Sequence, residues 1–294
     1  MIRFSKCIWL YILLSSLVLV PGVYSLIRWG LRPSIDFTGG TFMEVRLEKP
    51  VAKDGIQSLG QKNAVDLIEI NQTGKSDYSF RMKTTSESAV DAFEKDLKKE
   101  GGDKIDVLRK DTVGPVIGKE LLGKAVIASL LVMCAILLYV AYAFKNITFG
   151  VSAVVALLHD MLIMFASFSL LGHFLGVEVD TLFVTAFLTT MSFSVHDTIV
   201  IFDRIREYRK KDTKTPLSNT SDIALTETMG RSLVNSFTIM FMLLSLALMG
   251  GTTVRWFAVA LLIGTITGTY SSPFVATPIL LLLDKWKRKR SEKS

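Results

Sequence analysis

The sequence predicts a polytopic α-helical membrane protein with six transmembrane helices and one α+β domain between helices one and two. Of the 294 residues, 50% are hydrophobic and only 21% are charged, which gives a mean hydropathy of +0.41. The apolar residues fall in runs of about twenty, the length that crosses roughly 30 Å of hydrocarbon. A soluble domain of this size would instead spread its apolar residues with helical or strand periodicity.

Six apolar segments are long enough to cross a bilayer. The last one can tilt or kink, because Pro273 and Pro278 interrupt its hydrogen-bond pattern. In its first half, "GTITG" places Gly264 and Gly268 four residues apart, a spacing that favours close helix packing. The predicted spans cover approximately residues 7–27, 121–144, 147–171, 178–202, 229–249 and 254–283.

The first span also has features of a secretory signal peptide, because Arg3 and Lys6 precede its apolar core. A weak cleavage site lies at residues 23–25, but the apolar run continues to Ile27. Signal-peptide cores are shorter, at about 7–15 residues. We therefore interpret this segment as an uncleaved first transmembrane helix.

The positions of the basic residues predict how the spans are oriented. The net charge is +7, and the bases cluster beside apolar runs, as in "REYRKK" (206–211) and "KWKRKR" (285–290). This placement follows the positive-inside rule and suits anionic membrane lipids, whereas it is not the footprint of a nucleic-acid-binding protein. Both termini are therefore predicted to be cytoplasmic and residues 28–120 to be exported. The bases predicted on the cytoplasmic side are those of Arg3, Lys6, Lys145, the 204–214 loop and the 285–293 tail.

The exported segment reads as an α+β domain. A polar turn containing Gly74 joins two of its strands as a hairpin. Its second helix carries one apolar stripe, formed by Ala89, Val90, Phe93 and Leu97. The order β-α-β-β-α-β is the split, ferredoxin-like arrangement. The predicted elements are strand 41–47, helix 51–62, strands 65–70 and 78–83, helix 86–100 and strand 103–110.

This domain shows no motif for chemistry. It contains no His/Cys cluster, phosphate-binding loop or nucleophile motif, which favours a binding or mechanical role. The two cysteines of the chain, Cys7 and Cys134, lie in apolar runs and imply no disulfide framework.

Asp197 is the residue that most needs a functional explanation. It lies inside the fourth span, about 9 Å of helix from the charged edge at Asp203. An unpaired charge there costs at least about 2.5 kcal/mol, and ionisable residues within spans usually mark functional sites. Arg231, at the start of span five, is its predicted partner, because the two antiparallel spans share a loop. A snorkelling base at a helix end is the alternative for Arg231.

Further polar residues lie at a similar depth and suggest a hydrated proton path. A structural network of interhelical hydrogen bonds is the alternative. A nucleophile triad within span four is excluded, because Ser194 and His196 point about 200° apart on one helix. Ser194 can still meet His159 across helices, which leaves an intramembrane protease open. The candidate relay residues beside Asp197 and Arg231 are His159, Asp160, Ser194, His196 and Asn235.

Several motifs resemble the SecD/SecF family of protein-export membrane proteins along essentially the whole chain. The SecF branch is favoured, because a SecD normally carries a much larger exported region. Residues Asp197 and Arg231 match the intramembrane acid and base of the family, and His196 stands where relatives often have Asn. The motifs are "IDFTGGT" (35–41), "ALLHD" (156–160), "SFSVHDTIVIFDRIRE" (192–207), "GRSLVNSF" (230–237) and "GTYSSPFVATPILLLL" (268–283).

The resemblance implies a non-enzymatic subunit of the bacterial inner membrane, with no cofactor and with protons as the coupling ion. It implies SecD, the SecYEG channel, the motor SecA, YajC, YidC and the translocating polypeptide as partners. Export would be completed with the proton-motive force after the ATP-driven stage. The implied domains are a cytoplasmic N-terminus with helix one (1–30), a periplasmic ferredoxin-like domain (31–118), helices two to six (119–284) and a basic cytoplasmic tail (285–294).

These features give one mechanistic hypothesis and, besides the intramembrane protease, two rivals. In the hypothesis, Asp197 alternates between a neutral, protonated form and an anion paired with Arg231, so that helix movement and proton uptake are linked. Each proton that crosses releases about 2.3 kcal/mol per 100 mV of membrane potential. The rivals are a proton-coupled exporter of small molecules or lipids, and a non-energised scaffold subunit.

Overall fold

A computed structural model describes residue 4 and residues 7–72, 74–83, 86–102, 105–143, 146–212 and 214–291. The chain forms two compact units, Pro33–Ile127 and Met1–Arg32 with Ala128–Ser294, which we call the sheet unit and the helical bundle. The predicted bases at Arg3, Lys6 and Lys145 lie outside the described residues, as do residues 103–104 of the last predicted strand and the end of the tail from 292.

The elements follow one another in the order that the hydropathy pattern predicts. Residues Ser272–Ala276 form a five-residue π-helical turn, which we call the π-turn. In chain order the elements are α1 (Ile8–Arg28), α2 (Ile35–Thr38), β1 (Gly40–Arg46), α3 (Lys53–Lys62), β2 (Leu67–Gln72), β3 (Asp77–Met82), α4 (Glu87–Gly101), β4 (Asp106–Val113), α5 (Pro115–Ala143), α6 (Ile147–Leu175), α7 (Thr181–Lys211), α8 (Leu217–Met249), α9 (Thr252–Ser271), the π-turn (Ser272–Ala276) and α10 (Thr277–Ser291).

The sheet unit has the predicted split arrangement. Its four strands are all antiparallel and lie in the order β2-β3-β1-β4. Alternate side chains of each strand point to the helix side, and there they meet the apolar stripes of α3 and α4. Val90, Phe93 and Leu97 of α4 are buried in this core, and Ala89 packs against it, as predicted. The core also contains Met43, Val45, Leu47, Ile56, Leu59, Val65, Leu67, Tyr78, Phe80 and Met82.

Two glycines shape the start of the sheet. Gly39 and Gly40 have φ angles of 74° and 124°, in the left-handed region that glycine tolerates best. A Cβ atom at Gly39 would lie 2.7 Å from the Cα atom of Pro115, and one at Gly40 would lie 2.4 Å from the carbonyl oxygen of Met82. Glycine is therefore required at both positions by the backbone angles and by the closeness of neighbouring atoms.

Among the residues that the structure describes, six helices are long and apolar enough to cross a membrane, which confirms the six predicted spans. Two of them extend well past the predicted spans, since α7 continues to Lys211 and α8 begins at Leu217. Helical hydrogen bonding does not depend on burial, so a polar helix end can continue into water. Near the end of the last span, Pro273 falls in the π-turn, the predicted interruption of regular helix.

Candidate functional site

Small residues bring α7 and α9 into close contact. A Cβ atom added at Gly264 would lie 2.3 Å from Cγ2 of Thr190, and one at Gly268 would lie 3.1 Å from the Cα atom of Ser194. The predicted "GTITG" packing face is therefore confirmed, with α7 as its partner. This approach places the serines that follow Gly268 at the level of Ser194.

A buried carboxylate lies at the centre of the bundle. Asp160 of α6 is only 9% exposed, and its Oδ2 atom accepts hydrogen bonds from Ser194 Oγ at 2.5 Å and from Ser271 Oγ at 2.6 Å. Its Oδ1 atom lies 2.9 Å from Nδ1 of His159, which is 7% exposed. Three polar contacts thus compensate this carboxyl group for the loss of water.

The hydrogen-bonded groups continue from His159 to the first span. Nε2 of His159 lies 3.2 Å from Ser15 Oγ, which lies 3.3 Å from the Tyr270 hydroxyl. Tyr270 in turn donates to the backbone carbonyl of Tyr11 at 3.0 Å. The cluster therefore joins α1, α6, α7 and α9, and we call these groups the Asp160 network.

Asp197 occupies a different environment. It is half-buried, and its Oδ2 atom accepts a hydrogen bond from Ser232 Oγ of α8 at 2.6 Å. Among the described residues, the structure has no ion pair between Asp197 and Arg231, whose side chain is exposed. The predicted ionic partner is therefore replaced by a neutral hydroxyl in this conformation.

A small cavity adjoins the Asp197 site. Its volume is about 110 Å³, enough for a few water molecules. Ser232, the hydrogen-bond donor to Asp197, contributes to its wall together with Thr269. Thr269 in turn donates to Ser236 Oγ at 2.7 Å. The remaining walls are mainly apolar, formed by Ile201, Leu225, Met229, Leu233, Pro273 and Phe274.

The structure separates the predicted relay residues into two groups. His159, Asp160 and Ser194 come together in the Asp160 network, whereas Asp197 lies in the second site. His196 and Asn235 are exposed, and their side chains make no hydrogen bond to the described part of the chain. The contact that the protease alternative requires is absent as well, because Ser194 Oγ donates to Asp160 and not to His159.

Sequence reasoning missed several members of these sites. Ser271 and Tyr270 lie in the quoted motif "GTYSSPFVATPILLLL", yet serine and tyrosine are too common within spans to attract notice singly. Ser15 lies in a mainly apolar helix, and Ser232 lies next to Arg231. The available signal was a hydroxyl residue in each of several spans at similar depth.

The described residues contain no group of three His, Cys, Asp or Glu side chains placed to hold a metal ion. What they do contain is carboxyl, imidazole and hydroxyl groups in hydrogen-bond contact within apolar helices. Such groups can bind, release and pass protons.

Comparison with known protein families gives two matches. The family model described as "Protein export membrane protein SecD/SecF, C-terminal" matches residues 92–286. The model described as "SecD/SecF GG Motif" matches residues 25–51 and so includes the two glycines at the start of the sheet.

Individual relatives match nearly the whole chain. Protein translocase subunit SecF of Thermobaculum terrenum is 38% identical over 295 residues, covering 95% of this chain and 92% of the relative. Protein translocase subunit SecF of Anaerolinea thermophila is 33% identical over 288 residues, covering 95% and 94%.

Solved structures of larger proteins are also similar. The crystal structure of SecDF from Thermus thermophilus, a translocon-associated membrane protein, has a TM-score of 0.84 and 31% identity over 98% of this chain. SecDF in its super-membrane-facing form has a TM-score of 0.69 and 30% identity. This chain spans 39% and 40% of those two SecDF chains.

Proposed function

The chain belongs to the SecD/SecF family of protein-export membrane proteins, on its SecF side, and from this premise we propose that it couples the proton-motive force to protein export. In this proposal the chain pairs with SecD and acts beside the SecYEG channel after SecA has completed the ATP-driven stage. YajC and YidC are proposed further partners. The proposal includes the bacterial inner membrane as the location of the bundle, with both termini cytoplasmic and residues 28–120 largely periplasmic.

One observation carries the proposal. The bundle holds the buried carboxyl group of Asp160 and the half-buried one of Asp197 within membrane-spanning helices, and each accepts a hydrogen bond from another helix. Because each buried charge is costly, a chain that only anchored a domain would gain nothing from two of them. Their presence supports a role in moving protons.

Asp197 is the proposed exchange site for the proton. It is half-buried, its donor Ser232 lines a cavity large enough for water, and Arg231 lies one residue before Ser232 on α8. A neutral Asp197 is compatible with a hydroxyl partner, whereas its anion would be stabilised by the guanidinium of Arg231. A shift of α8 relative to α7 would exchange the two partners. Proton uptake and helix movement are then linked in both directions.

The proposed cycle uses these two states in turn. A proton entering from the periplasmic side neutralises Asp197, and its release to the cytoplasm restores the anion beside Arg231. His196 and Asn235, exposed on α7 and α8, would line the water path on either side of this exchange. The resulting helix movement would reorient the sheet unit and bias an emerging polypeptide against sliding back.

The test is export in vesicles that contain the complete SecD–SecF complex with SecYEG and SecA. With Asp197→Asn we expect the stimulation of export by a proton gradient to disappear, while the ATP-driven stage continues. The reason is that the amide of asparagine does not take up and release a proton near neutral pH, as a carboxyl group can. Asp203→Asn, an exposed acid on the same helix paired with Arg206, is the matched control and should keep the stimulation. Full stimulation in the Asp197→Asn complex would overturn the proposal.

A scaffold subunit is the second candidate, favoured by the complete hydrogen bonding of Asp160. Under this alternative, Asp160→Asn would lower the yield of the SecD–SecF complex on co-purification. The gradient response per assembled complex would then be unchanged.

A further inference from the structure

The hydrogens available to the Asp160 network are too few in one protonation state and sufficient in another. The Tyr11 carbonyl can only accept, so the single hydroxyl hydrogen of Tyr270 is committed to it at 3.0 Å. The Tyr270 oxygen can then only accept from Ser15 at 3.3 Å. Ser15, however, has one hydrogen and two neighbours, Tyr270 and Nε2 of His159 at 3.2 Å.

In the proton-poor state, Asp160 is an anion and His159 is neutral. Nδ1 of His159 must then carry the imidazole hydrogen, because a bare nitrogen 2.9 Å from a carboxylate oxygen would place two lone pairs together. Nε2 is consequently an acceptor and takes the Ser15 hydrogen. The contact between Ser15 and Tyr270 is left with no hydrogen.

One additional proton on the His159–Asp160 pair satisfies every contact. The proton can reside on the imidazole, or on Oδ1 of Asp160 with a hydrogen bond to Nδ1, and in both cases Nε2 carries a hydrogen. Nε2–H then donates to Ser15, Ser15 donates to Tyr270, and Tyr270 donates to the Tyr11 carbonyl. The two states therefore differ in the direction of one hydrogen bond. Ser15 donates to Nε2 of His159 in the proton-poor state, and Nε2–H donates to Ser15 when the additional proton is bound.

The other side of the carboxyl group also tolerates both states. Ser271 Oγ donates to Asp160 at 2.6 Å, but a second acceptor, the Gly268 carbonyl, lies at 3.3 Å. Rotation of this hydroxyl would let it accept a hydrogen bond from a protonated carboxyl. The site can therefore gain or lose a proton with hydroxyl rotations alone.

We propose that the His159–Asp160 pair is a second proton-holding site and that Ser15 and Tyr270 transmit its occupancy to the first span. The proposal rests on the proposed coupling function, to which it adds the route by which α1 responds. When the pair holds the additional proton, Ser15 of α1 is hydrogen-bonded to both His159 of α6 and Tyr270 of α9. In the proton-poor state the hydrogen bond between Ser15 and Tyr270 is lost.

Packing explains why the α1–α9 contact is the one that can change. A Cβ atom at Gly22 of α1 would lie 2.5 Å from Cβ of Ala166, and Ser25 hydrogen-bonds to Ser169 at 2.8 Å, so α1 is fixed to α6. By contrast, within the described residues the hydrogen bonds between α1 and α9 are those made by Tyr270. The chain leaves α1 at Arg28 and enters the sheet unit at Pro33, so a changed α1 is connected directly to the exported part.

The other groups that face this pair come from the three helices that hydrogen-bond to it, α1, α7 and α9; the nearby buried acid on α8 is Asp222, which acts on Tyr11. From α9, Tyr270 is the titratable side chain, with 6.4 Å between its ring centroid and that of His159. From α1, Tyr11 faces the network through its backbone carbonyl and Ser15 through its hydroxyl. From α7, the facing group is the hydroxyl of Ser194.

The decisive measurement is the protonation of Nε2 in His159. The chain has three histidines, so ¹⁵N-histidine labelling of this chain alone, assembled with unlabelled SecD in vesicles, gives few signals, and His159→Gln assigns the relevant one. We expect Nε2 to change from a bare acceptor to a protonated donor as the pH falls, with Nδ1 hydrogen-bonded throughout. A single protonation state of Nε2 at every pH that supports gradient-driven export would overturn the proposal.

Transport with matched variants tests the connection to α1. Ser15→Ala removes the hydroxyl between His159 and Tyr270, and we expect gradient-stimulated export to fall about fivefold. Ser16→Ala changes the neighbouring, exposed serine and should leave export unchanged. Tyr270→Phe should match Ser15→Ala, and the His159 titration should persist in both because the pair itself is intact.

The outcomes separate this proposal from the one on which it rests. If Asp197→Asn removes the gradient response but Ser15→Ala and Tyr270→Phe do not reduce it, proton coupling stands and the α1 route is wrong. If Asp197→Asn leaves the response intact, the coupling function itself fails, whatever His159 does.

Discussion

The two units of this chain place polar groups in opposite positions. The sheet unit buries apolar side chains such as Phe80 and Phe93, and its charges lie outside in ion pairs such as Arg46 with Asp77. The bundle exposes apolar side chains such as Phe241, which is 67% exposed, and buries Asp160 among hydroxyl groups. The sheet unit therefore buries apolar groups and exposes charged ones, whereas the membrane-spanning bundle exposes apolar groups and buries polar ones.

The difference shows what each unit is suited to do. A surface ion pair moves the pKa of its carboxyl group further from neutral pH. The hydrogen bond from Arg46, for example, lowers the pKa of Asp77. Such groups do not exchange protons during a physiological cycle. A carboxyl group buried in the bundle, such as Asp160, meets only a few donors, so its protonation depends on them. The bundle is thus the unit suited to proton chemistry, and the sheet unit is suited to a mechanical or binding role.

The largest expected effect tests the sheet core. Phe93→Ala removes a fully buried ring from α4, which should destabilise the sheet unit by about 4 kcal/mol through lost burial and a cavity. The measurement is hydrogen exchange of the strand amides in the full-length chain, with the exposed Lys95→Ala as control. Equal protection in the two variants would contradict this assignment of the core.

A similar effect is expected from a polar residue in the bundle. Asp160→Ala leaves His159, Ser194 and Ser271 without their common acceptor, which should cost about 3 kcal/mol. Asp197→Ala loses a single hydrogen bond and should cost about 1 kcal/mol. Thermal unfolding in detergent compares the two variants, and equal shifts would show that the two sites are energetically alike.

Packing between α7 and α9 should contribute somewhat less. Gly264→Ala places a methyl group 2.3 Å from Cγ2 of Thr190, and we expect a destabilisation of about 2 kcal/mol from overpacking. Gly150→Ala, where no atom lies within 4 Å, should be neutral or slightly stabilising. Adding Thr190→Gly to Gly264→Ala should restore much of the loss; failure to do so would mean that another contact sets this helix spacing.

The smallest effect concerns surface charge in the sheet unit. Hydrogen bonds from Lys62, and then from Lys99 and Asn63, hold the pKa of Asp96 well below its usual range. Because the folded pKa is the lower one, this stabilisation is complete above the unfolded pKa of about 3.9 and is lost as the pH falls further. Hydrogen exchange of α3 and α4 between neutral and acidic pH should show the loss. Asp96→Asn should flatten that dependence, and an unchanged profile would contradict the role of this cluster.

The number of spans and the order of the strands and main helices were predictable because they depend on local patterns, whereas the short helix α2 was not predicted. Runs of apolar residues predicted six spans, and alternation at strand positions predicted the β-α-β-β-α-β order, both of which the structure contains. The spacing of Gly264 and Gly268 correctly predicted a packing face. The helix ends were less accurate, since α8 begins at Leu217 and not near residue 229, because a polar helical turn carries no hydropathy signal.

By itself the sequence determined which groups can carry protons and at what depth they lie, because hydropathy and helical rise are properties of each segment alone. Only the tertiary structure decided which groups meet: Ser194 with Asp160, Asp197 with Ser232, and His159 with Ser15. These contacts depend on how each helix is rotated and how closely it approaches its neighbour. Both are set by the fit of side chains distant in sequence, such as Thr190 against Gly264.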